Sequence, residues 1–341
     1  MTQTMLPAIQ ETSIAFQTNK TPAEYRELAQ LVNGYGFDVV SVYGDMPYQP
    51  SFGPLLLMAP YLDRARLGPA CVAPSRQSPL DMAGDITLLD HLTRGRAYLG
   101  VARGAWLEKH GIHELKPPVA AIRECVQCFS DLLAGKSGFD GSIFHIDPSV
   151  RLPYQPFRER VPILIGTWGK HLGAVAGELA DEVKIGGSTN PAMIPVMRRY
   201  IAEGERKANR AVGSVGIAIG AVTVVDEDSR AAKNSVKREL AVYLPVVAAL
   251  DTTVQIEQEL LTRLAQLVNE HRLDDAAALI SDDLLAKFAF AGSPDEVLAH
   301  AQMLYDAGAR RVEFGTPHGL HPDTGIRLLG ARVLPNLKLK R

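Results

Sequence analysis

The chain has 341 residues, of which 46% are hydrophobic and 22% are charged, a composition typical of a globular protein with one large core. Its formal net charge of -2 provides no field that would attract nucleic acid or an anionic membrane, so neither is expected as a partner. Three cysteines are too few for a disulfide framework, and no segment is as apolar as a transmembrane helix or a signal peptide. We therefore expect a cytoplasmic protein.

Short β-branched segments alternate along the chain with amphipathic helical segments. The predicted strands are Ser13–Gln17, Phe37–Tyr43, Arg66–Val72, Ala97–Ala102, Val161–Ile165, Glu182–Ile185, Val215–Val225 and Arg311–Gly315. The helices predicted between them are Pro22–Tyr35, Leu80–Leu92, Pro118–Leu133, Lys170–Leu179, Pro191–Asn209 and Pro294–Ala307. Eight predicted strands that alternate with helices predict an α/β protein with a closed (β/α)₈ TIM barrel. An open doubly wound sheet is the structural alternative, but no GxGxxG motif follows the first strand to support it.

Two segments interrupt this alternation. Residues 135–160 are rich in glycine, proline and aromatic residues, which indicates an inserted loop or hairpin after the fourth strand and its helix. Residues 226–290 are mostly helical and exceed one crossover, which indicates a helical insertion after the seventh strand. The prediction is therefore a single domain, residues 1–341, with two insertions.

Three glycine-rich loops follow predicted strands, at the end of a barrel where active sites lie. In the loop from Gly100 to Gly104, glycines flank Arg103, which suits an anion; taken alone, however, a tight turn with an outward-facing arginine is the favoured explanation of this loop. The next two loops open directly into helices, whose free N–H groups bind anions. We expect these two loops to share an anion pocket. The candidate residues of the three loops are Gly100, Arg103 and Gly104; Gly166, Thr167, Trp168, Gly169 and Lys170; and Gly186, Gly187 and Ser188.

Other candidate residues have less support. Asp45, after the second strand, either orients a substrate or caps a turn. His318 directly follows the last strand and is predicted to face the barrel mouth. Cys125 and Cys128 have redox spacing but lie in a helical pattern, so buried structural thiols are favoured. Two HxxH pairs lack a third ligand, so no metal site is expected.

At these residues the chain resembles the luciferase-like oxidoreductase superfamily, and within it the coenzyme F420-dependent methylenetetrahydromethanopterin reductase branch. Four passages carry the resemblance: RLGPACVAPSRQSP (66–79), TRGRAYLGVARG (93–104), VPILIGTWGKHLGAVAGELADEVKIGGSTNP (161–191), and AGSPDEV with AGARRVEFGTPHG (291–297 and 307–319).

The resemblance implies how the cofactor is held. A cis peptide bond between Ala70 and Cys71, next to Val72, would lie behind the middle ring of a deazaflavin. The loops at Gly100–Gly104 and Gly166–Lys170 would bind its phosphate region, and Gly186–Ser188 its ribityl chain. The resemblance also implies a homodimer.

The implied reaction is hydride transfer between C5 of a reduced 5-deazaflavin and an electrophilic carbon of a small molecule, plausibly a pterin- or folate-bound one-carbon unit. In that reaction Asp45 would hold the polar edge of the substrate, while Gln17 and His318 would line the mouth. Two positions depart from the family pattern: Gly44-Asp45 replaces an Asp-His pair, and Phe16-Gln17 replaces a segment with a glutamate.

Three alternatives remain open from the sequence. The first is an FMN-dependent luciferase-like monooxygenase, because the superfamily motifs are shared by flavin and deazaflavin enzymes. The second is a flavin-free, NAD(P)H-dependent methylenetetrahydrofolate reductase, because the same loops suit a pyrophosphate. The third is a cofactor-binding barrel without catalysis, which the two departures motivate.

Overall fold

The structure is a computed structural model that describes residues 9–341. Its strands are β1 (Glu11–Phe16), β2 (Val39–Val42), β3 (Arg66–Pro69), β4 (Leu99–Ala102), β5 (Phe139–Asp140), β6 (His145–Ile146), β7 (Ile163–Gly166), β8 (Glu182–Gly186), β9 (Gly216–Val225), β10 (Phe290–Gly292) and β11 (Arg311–His318). Its helices are α1 (Pro22–Asn33), α2 (Phe52–Met58), α3 (Pro79–Thr93), α4 (Pro118–Leu133), α5 (Lys170–Leu179), α6 (Met193–Lys207), α7 (Ser229–Val247), α8 (Gln258–Asn269), α9 (Leu273–Ala278), α10 (Asp282–Phe288), α11 (Pro294–Asp306) and α12 (Pro322–Leu328).

Eight parallel strands form the barrel. They are hydrogen-bonded in the order β3, β2, β1, β11, β9, β8, β7, β4. The first and last of these meet, because the Val72 amide donates to the Gly100 carbonyl and the Ala102 amide donates to the Val72 carbonyl, both at 2.9 Å. The predicted TIM barrel is thereby confirmed, and each barrel strand contains residues of one predicted strand.

Closure of the barrel depends on glycine at position 100. A Cβ atom added there would collide with the carbonyl oxygen of Pro69 on β3. The two strands approach each other this closely only because Gly100 has no side chain. The apolar residues on the outer faces of the strands, such as Ile14, Val40 and Ile165, pack against the surrounding helices.

The first insertion forms an antiparallel hairpin of β5 and β6, as predicted. The Glu124 carboxylate on α4 accepts hydrogen bonds from the backbone amides of Ser142, Ile143 and Phe144. Partial burial raises the pKa of Glu124, but these hydrogen bonds outweigh that effect and hold it below its usual value. The hairpin is therefore attached to the outside of α4.

The second insertion is helical, as predicted, and consists of α7 to α10. These helices share an apolar cluster of their own, which includes Val236, Leu240, Leu264 and Phe288. The short strand β10 then pairs with the end of β9 and returns the chain to the barrel. Among residues 9–341, no helix combines the length and apolar character needed to cross a membrane.

A partly buried ion pair joins the end of the first insertion to the barrel. Arg158 donates two hydrogen bonds to the carboxylate of Asp90 on α3, at 2.8 and 2.9 Å, and one to the Ala97 carbonyl. The same carboxylate accepts the Ala97 amide at 2.9 Å. Asp90 is 1% exposed, so its removal leaves buried donors without partners.

We predict that Asp90→Ala lowers the free energy of unfolding by about 3 kcal/mol, because it leaves the buried Ala97 amide and the partly buried Arg158 without their acceptor. The matched control is Asp131→Ala, whose carboxylate pairs with Lys136 at the surface and should cost under about 1 kcal/mol. Urea denaturation of both variants measures the difference. Equal losses would show that the Asp90 pair has no special role.

Candidate functional site

The ends of four neighbouring strands lie side by side at one rim of the barrel. Val72 forms a bridge with Val101, Ala102 pairs with Gly166, and Gly166 pairs with Lys184. The loops predicted to share a pocket are therefore adjacent in space. The Ala70–Cys71 peptide bond is cis, as the resemblance implied.

The start of α5 provides free backbone donors at this rim. Gly169 is the N-cap residue and provides no capping side chain. Its amide donates to the Thr167 hydroxyl at 3.0 Å, and a Cβ added at position 169 would meet only that hydroxyl, at 3.8 Å. Open space beside Gly169, together with the uncapped N–H groups of the helix, fits an anionic group such as a phosphate.

Trp168, in the same loop, holds two strand ends together. Its indole Nε1 donates to the carbonyl of Gly186 at 3.0 Å. The ring also packs against both the main core and the apolar cluster of the second insertion. The side chain therefore links the loops after β7 and β8.

The two cations predicted to bind a phosphate already have carboxylate partners. Arg103 donates to both oxygens of Glu114, at 2.6 and 3.0 Å. The Lys170 ammonium lies 3.3 Å from the carboxylate of Glu203 on α6. A phosphate would therefore compete with a carboxylate for each of these cations. The role of Arg103 and Lys170 in phosphate binding stays a prediction.

The loop after β8 is held by the second insertion. Ser188 is fully buried, and its hydroxyl accepts the Asn190 amide at 3.1 Å. Asn190 in turn donates to Asp251 at 2.8 Å, and the hydroxyl of Thr189 donates to the Ala289 carbonyl at 3.2 Å. The insertion therefore holds Thr189 and Asn190, the residues that directly follow Ser188.

Gln17 and Asp45 come together on the other side of the mouth, at the ends of β1 and β2. The Gln17 amide donates to the Asp45 carboxylate at 3.2 Å. Behind them, Arg76 donates to the Gly44 carbonyl. Both predicted residues are partly exposed, so their polar atoms are available at the rim.

His318 does not line the mouth, contrary to the prediction from its position after the last strand. It is 1% exposed, with Nε2 3.1 Å from the Ala15 carbonyl and its ring against Phe16. Burial lowers its pKa to about 3, so the imidazole is neutral near pH 7. The sequence pattern located the strand end correctly but not the direction of the side chain. Its catalytic role stays a prediction.

A buried charged pair lies inside the barrel beneath the rim, and sequence reasoning did not select it. The Lys184 ammonium on β8 donates to Glu313 on β11. The second oxygen of Glu313 accepts the hydroxyls of Ser13 and Ser41, at 3.0 and 2.6 Å. The available signal was a charged residue at an inward position of an otherwise apolar strand, in both VKIG and VEFG.

Cys71 contributes a thiol to the same region. A Cβ added at Gly166 would lie 3.0 Å from its Sγ atom. Burial raises the pKa of Cys71 to about 12, and burial also raises the pKa of Cys128 to about 12 and that of Cys125 well above its usual range. All three thiols therefore stay protonated near pH 7, which excludes a thiolate nucleophile at this site.

Comparison with known proteins gives a family match over most of the chain. A family model described as luciferase-like monooxygenase matches residues 4–311. Two curated relatives are named 5,10-methylenetetrahydromethanopterin reductase. The relative from Methanopyrus kandleri is 26% identical over 341 aligned residues, covering 93% of this chain and 95% of that protein. The relative from Archaeoglobus fulgidus is 28% identical over 330 residues, covering 92% and 97%.

A solved structure has the same fold. The coenzyme F420-dependent tetrahydromethanopterin reductase from Methanopyrus kandleri superposes with a TM-score of 0.88 at 24% identity, covering 97% of this chain and 100% of that one. This likeness supports the barrel fold over nearly the full length of the chain.

We predict that none of the three cysteines reacts quickly with iodoacetamide at pH 7.5 in the native state, because each thiol pKa is raised by burial. Mass spectrometry after a short exposure measures the modification, and the same treatment in urea provides the control. Rapid labelling of Cys71 in the native protein would contradict the environment described for it.

Proposed function

The chain belongs to the luciferase-like monooxygenase family, whose members are oxidoreductases, and we propose that it is a coenzyme F420-dependent enzyme that transfers a hydride between the deazaflavin and a small-molecule substrate. The observation that carries this proposal is the uncapped start of α5 beside the ends of β3, β4 and β8. The names of the two reductase relatives support the choice of reaction, and the name of the solved structure, which includes coenzyme F420, supports the choice of cofactor.

The residues present fit such a cofactor. The N–H groups at the start of α5, with Thr167 and Gly169, would hold its phosphate, because helix N-termini stabilise negative charge. Ala70, Cys71 and Val72 would lie behind the ring system. The Gly186–Ser188 loop would contact the chain that joins the ring to the phosphate.

When bound, a reduced 5-deazaflavin supplies a hydride from C5 to an electrophilic carbon. The protein's part is to bind, orient and exclude water. Asp45 and Gln17 would hold the polar edge of the substrate above the ring. His318 stays neutral and bonded to the β1 backbone, so its contribution would be to hold β1 against β11.

For the substrate we propose a pterin- or folate-bound one-carbon unit. Pterin rings present N–H donors beside each other, and the Asp45 carboxylate next to the Gln17 amide offers acceptors on one edge. The reductase names of the two relatives point to the same class. Turnover of a methylene-tetrahydropterin with the reduced deazaflavin, followed by the absorbance of the oxidised cofactor, tests this assignment.

The cofactor assignment is tested by titrating the protein with coenzyme F420, FMN, NADH and NADPH and ranking the dissociation constants. We expect coenzyme F420 to bind at least about tenfold more tightly than the others, since about 1.4 kcal/mol of specific contact gives that ratio. Tighter binding of FMN or of a nicotinamide dinucleotide would overturn the proposal.

A variant at position 169 shows whether the start of α5 is the phosphate site. Gly169→Asp should cap the helix and keep or raise the melting temperature. It should also weaken binding of coenzyme F420 about tenfold, because the carboxylate occupies the N–H groups and repels the phosphate. Gly169→Asn is the matched neutral control and should weaken binding less. Equal affinities for wild type and Gly169→Asp would remove α5 from the site.

We also propose a homodimer. α3 exposes Leu80, Leu88 and Leu92 on the outside of the barrel, with 37%, 52% and 44% of their surfaces accessible. A surface of this kind favours burial against a second copy.

Light scattering should give twice the chain mass of 37.0 kDa, and Leu88→Glu should shift the protein toward the monomer, because it places a charge in an apolar contact. Val242→Glu, at an exposed apolar position on α7, is the control. A wild-type protein at the monomer mass would refute the dimer.

A further inference from the structure

Tyr43 follows β2 and points into the barrel at the floor of the mouth. Its ring lies 4.9 Å from the Lys184 ammonium, which is itself inside the barrel. A Cβ added at Gly315 would collide with the Tyr43 hydroxyl. The glycine on β11 therefore leaves the space into which the tyrosine extends.

The hydroxyl of Tyr43 has a different environment from those of the other enclosed tyrosines. Among residues 9–341 no side chain or backbone group forms a hydrogen bond with it, and it is not among the fully buried polar atoms without partners. The other hydroxyls are satisfied by protein groups: Tyr25 by Gln49, Tyr98 by Ser41, Tyr243 by Phe288 and Tyr305 by Glu11. The Tyr43 hydroxyl is therefore not fully enclosed, and none of the residues that the structure describes uses its hydrogen-bonding capacity.

The buried charged pair holds the Tyr43 ring in place. Glu313 fixes the Lys184 ammonium, and two serine hydroxyls fix Glu313 from the other side. A cation against the face of a tyrosine ring attracts it, and more strongly when water is excluded. The buried pair therefore orients the Tyr43 ring without forming a hydrogen bond with its hydroxyl.

The hydroxyl is a donor at any working pH. Burial, together with the negative charges of Glu313 and Asp45, raises the pKa of Tyr43 well above its usual value. A phenol that stays protonated donates one hydrogen bond and suits a carbonyl oxygen or an unprotonated ring nitrogen.

The backbone next to Tyr43 lies against the segment that is predicted to lie behind the cofactor ring. A Cβ added at Gly44, the next residue, would collide with the Cys71 carbonyl. We propose that the Tyr43 hydroxyl donates a hydrogen bond to an acceptor atom on the ring system of the bound deazaflavin. This inference rests on the proposed function, because it takes the ring to lie against Ala70–Val72.

The test compares coenzyme F420 with its deazaflavin chromophore lacking the phosphate-bearing tail. Tyr43→Phe keeps the ring and its contact with Lys184 but removes the donor. We expect it to weaken binding of both probes by the same factor, about five- to tenfold, as measured by fluorescence titration without turnover. Gly169→Asp should instead weaken binding of coenzyme F420 alone.

The matched control is Tyr305→Phe, whose hydroxyl bonds to Glu11 at the other end of β1 and whose loss should leave both affinities unchanged. Wild-type affinity of Tyr43→Phe for both probes would overturn the inference. A loss of affinity for coenzyme F420 alone would also overturn it, because Tyr43 would then contact the phosphate-bearing tail and not the ring. A wild-type protein that binds neither probe would instead overturn the proposed function.

Discussion

The contact between β3 and β4 is the constraint on which the site depends. These strands lie at the two ends of the hydrogen-bonded order, and the barrel closes only where the Val72 backbone exchanges hydrogen bonds with Gly100 and Ala102. Closure places the Ala70–Cys71 segment beside the loop after β4 and, through it, beside the start of α5. An open sheet would leave these segments at opposite edges, and no shared rim would exist.

Closure also encloses charges that an open sheet would leave in water. Lys184 and Glu313 lie inside the barrel and form an ion pair, and the hydroxyls of Ser13 and Ser41 also donate hydrogen bonds to Glu313. Burial raises the pKa of Glu313, but Lys184 and Arg311 outweigh that effect and hold it below its usual value, so the carboxyl group of Glu313 is ionised near pH 7. A paired charge in a low-dielectric interior orients its neighbours strongly, and here the neighbour is an aromatic residue at the floor of the mouth.

The two insertions have different relations to the site. The hairpin of the first is held by Glu124 on the outer side of α4, and its return segment by Asp90, so it mainly covers the barrel wall. The second insertion bonds directly to the loop after β8 through Asp251 and Ala289. Sequence length and composition located both segments, but neither property indicates which one contacts a strand end. That distinction depends on hydrogen bonds between residues about 60 to 100 positions apart.

The sequence by itself determined the barrel, the order of its elements, the two insertions and the loops after β4, β7 and β8. Those features follow from local periodicity and from glycine and helix-start patterns, which act over a few residues. Only the tertiary structure decided that His318 turns away from the mouth, that Arg103 bonds to Glu114, and that Lys184 meets Glu313. The direction and partner of a side chain at a strand end depend on which distant strand lies opposite, and local patterns contain no information about that neighbour.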